Sequence, residues 1–173
     1  MDRTGPDATV IPVTEPASDW SLRHVVDCAV DNVEAGGGPF AALIIRGDEV
    51  VAEGVNRVTR DLDPTAHAEV VAIRTAAQAL GSFSLAGCVL VSSCEPCPLC
   101  LAAALWARVD QVVYVADRDD AARAGFDDRA FYDLFDQPRS SWPTPVRQTT
   151  IGSGQEKHRP FDAWLAKADR IAY

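Results

Sequence analysis

Four residues in two short stretches have the types and the spacing of a metal site with its own proton-transfer group. His67 and Glu69 lie two apart in HAE, and Cys97 and Cys100 lie three apart in PCPLC. Imidazole and thiolate groups are ligands that zinc prefers, and three of them leave the fourth position of a tetrahedral ion to water. That open arrangement is typical of a catalytic zinc site. Glu69 would then be the base that takes a proton from the water.

These side chains can converge only if each stretch opens a helix. Cys97 and Cys100 share one face of a helix that begins at the flanking prolines, which suit a first turn. The partial positive charge of a helix N-terminus also favours the thiolate form that binds metal. In the middle of a helix, His67 and Glu69 would point about 200° apart. From the first turn, both can reach a site just beyond the helix end.

The rest of the chain supplies the elements that this geometry needs. Apolar periodicity predicts a first helix capped by Asp19 or Ser21 and a second helix capped by Asp63 or Thr65. The alternation of strands and helices favours a layered α/β domain. The predicted helices span 19–36, 65–81 and 97–107, and the predicted strands span 39–45, 50–56, 88–93 and 111–116. Further on, 127–135 and 160–171 have helical patterns, and 146–151 is a candidate edge strand.

Composition limits the possible partners. The 173 residues fit one domain, and 16 Lys plus Arg against 25 Asp plus Glu give a net charge of −9. No basic cluster offsets this charge, so we expect a small-molecule substrate and no nucleic acid. We expect no membrane span, and a flexible leader over residues 1–18 before a domain at 19–173. Closely spaced cysteines and the lack of a signal peptide favour a reduced, cytoplasmic protein.

The remaining cysteines and histidines leave one alternative open. Cys94 also forms a CxxC pair with Cys97 and would close the metal site as a fourth ligand. Such a closed site would indicate a zinc-stabilised domain without catalytic activity. The other two cysteines are predicted core residues, and the other two histidines have no metal-like spacing and are predicted surface or loop residues. They are Cys28, Cys88, His24 and His158.

The order H-x-E followed by P-C-x-x-C is the signature of zinc-dependent nucleobase deaminases. From about residue 20 onward, the chain resembles bacterial guanine deaminases of the cytidine-deaminase-like superfamily. The matching stretches are GGPFAALI, EGVNRVT, DPTAHAEVVAIR, SCEPCPLCLAAALWAR, AARAGFDD, PFDAW and the terminal tyrosine. The resemblance implies a three-layer α/β/α sandwich around a five-stranded mixed sheet. It also implies a homodimer in which the C-terminal segment closes over a partner's active site.

The resemblance further implies a set of substrate contacts. Asn56 would hydrogen-bond the base, Phe40 and Trp106 would flank the purine, and the backbone N–H of Ala68 would contact a substrate carbonyl. Asp128 and Tyr173 would read the purine edge and seal the pocket. Each of these residues also has an ordinary structural interpretation as a core, turn, cap or terminal residue.

The implied reaction is hydrolysis of guanine to xanthine and ammonia, with zinc as cofactor and Glu69 as proton shuttle. Two departures from the family pattern leave the substrate open. Ala41 replaces an expected glycine near the pocket wall, and the segment 152–160 is longer than its counterpart. Ammeline, guanosine, cytosine and cytidine therefore stay alternatives. A tRNA adenosine deaminase shares the zinc motif, but the acidic charge argues against it.

Overall fold

The computed structural model describes residues 17–152 and 154–172, which form two compact units that divide after Asp128. Residues 1–16, and with them most of the predicted leader, lie outside the described residues. The first unit contains five helices and four strands among the residues described. They are α1 (Asp19–Glu34), β1 (Ala41–Arg46), β2 (Glu49–Val55), α2 (Val58–Asp61), α3 (Ala68–Leu80), β3 (Val89–Cys94), α4 (Pro98–Ala107), β4 (Gln111–Ala116) and α5 (Arg118–Arg123).

The strands form one mixed sheet in the order β2-β1-β3-β4. β1 runs antiparallel to β2 and β3, whereas β3 and β4 are parallel. The expectation of five strands was wrong for the described part of the chain. The candidate edge strand at 146–151 is irregular and exposed, because apolar alternation makes a strand only where a neighbouring strand is available for pairing.

Helices cover both faces of this sheet and confirm the α/β/α sandwich. On one face, α1 packs Val25 and Ala29 against Leu43 and Val91. On the other face, alanines of α3 and α4 pack against alternate residues of the same strands. Small side chains allow α3 to lie close to the sheet, and their burial excludes water from the layer that supports the candidate site.

Gly54 of β2 shows how close this approach is. A Cβ atom at this position would lie 2.3 Å from the carbonyl oxygen of Ala68 and 2.4 Å from the amide nitrogen of Ala72. Both atoms belong to the backbone of α3, so neither can rotate away. Glycine at this position therefore sets the distance between β2 and the first turn of α3.

Two predicted caps were wrong because local turns use the polar residues differently. Ser18 caps α1, and its Oγ accepts a hydrogen bond from the Ser21 amide at 3.2 Å. His67 holds the N-cap position of α3, while Asp63 accepts hydrogen bonds from Thr65 in a turn of its own. The strand β4 was predicted to be buried, but its outer residues Tyr114 and Val115 are about half exposed.

The second unit, from Arg129 onward, contains α6 (Arg129–Phe135) and α7 (Arg159–Ala166) with two short 3₁₀ turns between them. α6 lies within the predicted segment 127–135, whereas α7 begins one residue before the predicted segment 160–171 and ends five residues before the end of that segment. Over the residues that the structure describes, no helix has the length and apolar character needed to cross a membrane.

Candidate active site

The N-cap position of His67 follows from the turn that precedes it. Oδ1 of Asp63 accepts hydrogen bonds from the amide and the hydroxyl of Thr65, at 2.8 and 2.7 Å. The carbonyl of Ala66 then accepts a hydrogen bond from the Arg57 amide at 2.9 Å, which ties the turn to the preceding segment. With its backbone fixed in this way, His67 projects its ring beyond the end of α3.

The second helix brings two thiols to the same place. Cys97 is the N-cap residue of α4, Pro98 fills the first helical position, and Cys100 is buried one turn further on. Nδ1 of His67 lies 3.5 Å from the Sγ atoms of both cysteines, and the two Sγ atoms lie 3.6 Å apart. The sequence-predicted ligands therefore converge from two helix openings.

These separations fit a zinc ion. Tetrahedral zinc with typical bond lengths places a nitrogen and a sulfur ligand about 3.6 Å apart and two sulfur ligands about 3.8 Å apart. The donor set of one imidazole and two thiols is also chemically suited to zinc. Hydrogen bonds from Cys100 and His67 lower the pKa of the Cys97 thiol, which favours the thiolate that a metal requires.

Glu69 lies in the first turn of α3 and is 7% exposed. Burial raises the pKa of its carboxyl above the ordinary value, although hydrogen bonding to the backbone and to the Cys100 thiol opposes the rise. A carboxylate whose pKa is shifted toward neutrality can both accept and return a proton near neutral pH. Its position beside the ligand cluster gives it the geometry of a general base.

Cys94, the alternative fourth ligand, lies outside the ligand cluster. Its thiol donates a hydrogen bond to the carbonyl of Asp117 at 3.7 Å. Burial raises the pKa of this thiol to about 11, so it stays protonated at neutral pH. The geometry therefore favours three protein ligands and an open fourth position.

A cavity of about 600 Å³ opens from this cluster within the first unit. Three of the predicted substrate-binding residues line it, namely Phe40, Asn56 and Asp128. Ala68 is fully buried as the first residue of α3, so its N–H is one of those without an acceptor inside the helix. Burial and the neighbouring Cys97 raise the pKa of Asp128, whose carboxyl faces the same space.

Of the other two predicted contacts, one lies away from the cavity and one falls on a residue that the structure does not describe. Trp106 is 67% exposed on α4 and does not line the cavity, and Tyr173 lies outside the described residues. The expected effect of Ala41 on the pocket wall was wrong. Its methyl group is buried against Val25 and Leu43 on the α1 face of the sheet, because β1 alternates its side chains between the two faces.

Sequence reasoning missed a buried asparagine that supports the cavity wall. Nδ2 of Asn32 donates hydrogen bonds to the carbonyls of Gly38 and Asn56, at 2.8 and 3.0 Å. The backbone at Gly37 passes so close that a Cβ atom would lie 2.4 Å from Asn32. Asparagine on the apolar face of the first predicted helix, followed by three glycines, is the signal that could have identified this support.

The far wall of the cavity also includes residues that the motifs did not single out. Phe126 packs edge-on against Phe40, with ring centroids 5.0 Å apart, and provides an apolar surface for a flat ring. Arg118 forms an ion pair with Glu95 and holds the pKa of that carboxyl below its usual range. Glu95 lies two positions before Cys97 in the sequence, and this closeness to the CxxC motif could have indicated that Glu95 lines the cavity.

Comparisons with known proteins agree with this site. A family model described as "Cytidine and deoxycytidylate deaminase zinc-binding region" matches residues 18–116. The chain is 46% identical to guanine deaminase of Bacillus subtilis over 88% of its own length and 96% of the relative. An X-ray structure of that enzyme superposes with a TM-score of 0.85 at 45% identity, covering 91% of this chain and 99% of the other.

More distant relatives also match parts of the chain. A guanine deaminase structure from Nitrosomonas europaea has a TM-score of 0.61 at 34% identity, covering 65% of this chain and 66% of that chain. A tRNA-specific adenosine deaminase of Aquifex aeolicus is 37% identical over 57% of this chain and 65% of the relative. The chain belongs to the cytidine-deaminase-like family of zinc-dependent deaminases. It is a hydrolytic deaminase with zinc as its cofactor.

Proposed function

We propose that this enzyme hydrolyses guanine to xanthine and ammonia. The observation that carries the proposal is the buried Glu69 beside the His67, Cys97 and Cys100 cluster, at a cavity with apolar walls and an asparagine. The choice of guanine is supported by similarity to guanine deaminase of Bacillus subtilis over nearly the whole of both chains.

In this proposal, His67, Cys97 and Cys100 hold the zinc ion. When bound, zinc acts as a Lewis acid that lowers the pKa of water at its open position. Glu69 would accept the first proton of the water as its oxygen attacks C2 of guanine, and would pass that proton to the ring nitrogen. It would then take the proton of the new C2 hydroxyl and deliver it to the leaving amine, so one water is consumed and one ammonia is released. The raised pKa of Glu69 suits it to this shuttle.

The substrate would be held mainly by the cavity walls. Phe40 and Phe126 offer faces and edges for an aromatic ring, and Asn56 offers an amide to the heteroatoms of the base. The N–H of Ala68 would donate to a carbonyl, and Asp128 would accept from an N–H group on the purine edge. Contacts of Trp106 and Tyr173 with the purine remain predictions that depend on assembly and on the C-terminal segment.

We also propose that the enzyme is a cytoplasmic homodimer. The outer side of α4 lacks charged residues and exposes Leu105 and Trp106 at 79% and 67%. Surfaces of this kind mark protein interfaces more often than solvated faces. A second copy is the proposed partner, with its C-terminal segment closing the active site. Five free thiols support a reducing compartment.

The test of the proposed substrate is ammonia release by the zinc-loaded enzyme from six compounds in parallel: guanine, guanosine, ammeline, cytosine, cytidine and adenine. We expect the highest kcat/KM for guanine. Faster turnover of another compound would overturn guanine as the substrate while leaving the zinc chemistry intact. Absence of ammonia from all six would count against the proposed reaction itself.

A further inference from the structure

A second cluster of metal-ligand side chains lies on the outer face of the first unit. His24 and Cys28 are one helical turn apart on α1, and Glu53 lies opposite them on β2. Nε2 of His24 lies 3.6 Å from Sγ of Cys28 and 2.7 Å from Oε1 of Glu53. Sγ of Cys28 lies 4.0 Å from Oε2 of Glu53. Three different donor atoms therefore face one small volume.

This cluster is separate from the active site. Glu53 pairs in register with Leu43, whose side chain packs against α1, so Glu53 projects from the α1 face of the sheet. His67 and Cys97 instead open helices α3 and α4, whose alanines pack on the opposite face. No residue of the outer cluster lines the active-site cavity.

The helix and a neighbouring ring hold two of the three side chains in a suitable arrangement. Residues four apart on a helix are neighbours on its surface, so the backbone of α1 brings the imidazole and the thiol together. The ring of His24 stacks on Trp20 with centroids 4.8 Å apart and an interplanar angle of 13°. This stacking orients the imidazole so that Nε2 points toward Glu53 and Cys28.

The separations are close to those of a metal site. The nitrogen–sulfur distance of 3.6 Å equals that between two ligands of tetrahedral zinc, about 3.6 Å. The carboxylate accepts a hydrogen bond from the imidazole at 2.7 Å, and it would have to retract by about 0.6 Å for both atoms to coordinate one tetrahedral zinc ion. Its side chain is 52% exposed, so this movement meets little resistance.

The surrounding charge favours a cation at this position. Burial raises the pKa of the Cys28 thiol, and the negative charges of Glu53, Asp31 and Asp27 raise it further. These three carboxylates make the local potential negative. An imidazole, a thiolate and a carboxylate form a mixed donor set that suits zinc and its neighbours in the transition series rather than calcium or magnesium.

We propose that His24, Cys28 and Glu53 form a second divalent-metal site, which binds Zn²⁺ or a similar transition-metal ion and clips α1 to the edge strand β2. On binding, the thiol of Cys28 releases its proton to solvent, and the proton on Nε2 of the neutral His24 ring moves to Nδ1. Sγ of Cys28, Nε2 of His24 and a carboxylate oxygen of Glu53 then each donate one electron pair to the ion. Water completes the coordination. Because the site lies on the opposite face of the sheet, it is independent of the substrate that the active site takes.

Cobalt is a suitable probe, because Co²⁺ bound to a thiolate absorbs light by charge transfer. Enzyme carrying one catalytic zinc per chain is incubated with Co²⁺, freed of loose metal by gel filtration and analysed for both metals. We expect one zinc and one cobalt per chain, with the thiolate–cobalt absorption and quenching of Trp20 fluorescence. Cys28→Ser and His24→Gln should keep the zinc and lose the cobalt and its absorption.

Two controls make the result specific. Glu34→Gln removes a carboxylate from the same helix outside the cluster and should bind cobalt as the unchanged protein does. Ammonia release should be unchanged in Cys28→Ser and His24→Gln, which shows that both variants are folded. The proposal is overturned if the unchanged protein takes up cobalt only in exchange for zinc. It is equally overturned if Cys28→Ser binds as much cobalt as the unchanged protein.

Discussion

Replacing Gly54 by alanine would displace the helix that carries His67 and Glu69. The added Cβ would lie 2.3 Å from the Ala68 carbonyl and 2.4 Å from the Ala72 amide, whereas ordinary contacts begin near 3.4 Å. The first turn of α3 would therefore have to move by about 1 Å, which is the difference between the ordinary contact distance and these two distances. Overpacking of this kind costs about 1–3 kcal/mol of unfolding free energy.

The displacement should affect catalysis more than stability. Cys97 and Cys100 belong to α4, whereas the atoms nearest to the added Cβ all belong to α3. The distances from His67 to the thiols and from Glu69 to the substrate would therefore change. A misplacement of about 1 Å can cost about 100-fold in rate. We expect Gly54→Ala to lower kcat by about that factor at a temperature where the protein is folded, as circular dichroism would verify.

The matched control is Gly81→Ala at the other end of the same helix. Gly81 has a φ of +61° and no atom within 4 Å of a Cβ, so alanine would be strained without pushing α3. Backbone strain at this position should lower the free energy of unfolding of this variant by about 1 kcal/mol. Its kcat should stay the same as that of the unchanged enzyme. Equal kcat values for Gly54→Ala and the unchanged enzyme would refute the reasoning about the close approach.

Three further variants test other parts of the account. Cys94→Ser should retain one zinc per chain by elemental analysis, because its thiol bonds to a backbone carbonyl outside the ligand cluster; loss of zinc would point to a closed site. Asn32→Leu should lower the urea-derived free energy of unfolding by about 1–3 kcal/mol, because two partly buried carbonyls lose their donor; an unchanged value would contradict this support role. Leu105→Asp should convert the proposed dimer to monomers in light scattering, because a charge would be buried in the interface; an undissociated dimer would exclude this face.

The convergence of the proposed zinc ligands was predictable because the sequence signal is local. The spacing of Cys97 and Cys100 and the flanking prolines specify a helix opening, and the structure places both thiols within 3.5 Å of the His67 ring nitrogen. The layered α/β fold was predictable because segments with the apolar pattern of strands alternate along the chain with segments that have helical periodicity. What failed at this level was the choice of caps, because several polar residues compete for each helix end and the turn decides between them.

Features that depend on distant pairs were not visible in the sequence. Asn32 supports the wall near Asn56 through a hydrogen bond across 24 positions, and helical periodicity alone gives no indication of such a partner. His24 and Cys28 have helical spacing that could have been recognised, but the third member, Glu53, becomes their neighbour only when β2 pairs with β1. The missing fifth strand has the same cause, since a strand forms only with a partner.

The comparison of Glu69→Gln with the unchanged enzyme, both carrying one zinc per chain, tests the central claim most directly. Glutamine is nearly isosteric with the buried carboxyl and removes only its capacity to carry a proton. Xanthine formation from guanine would be followed by ultraviolet absorbance. The account predicts full zinc content and a loss of kcat of about 10²–10⁴-fold or more. Turnover within a few-fold of the unchanged enzyme would contradict the assignment of Glu69 as the proton shuttle.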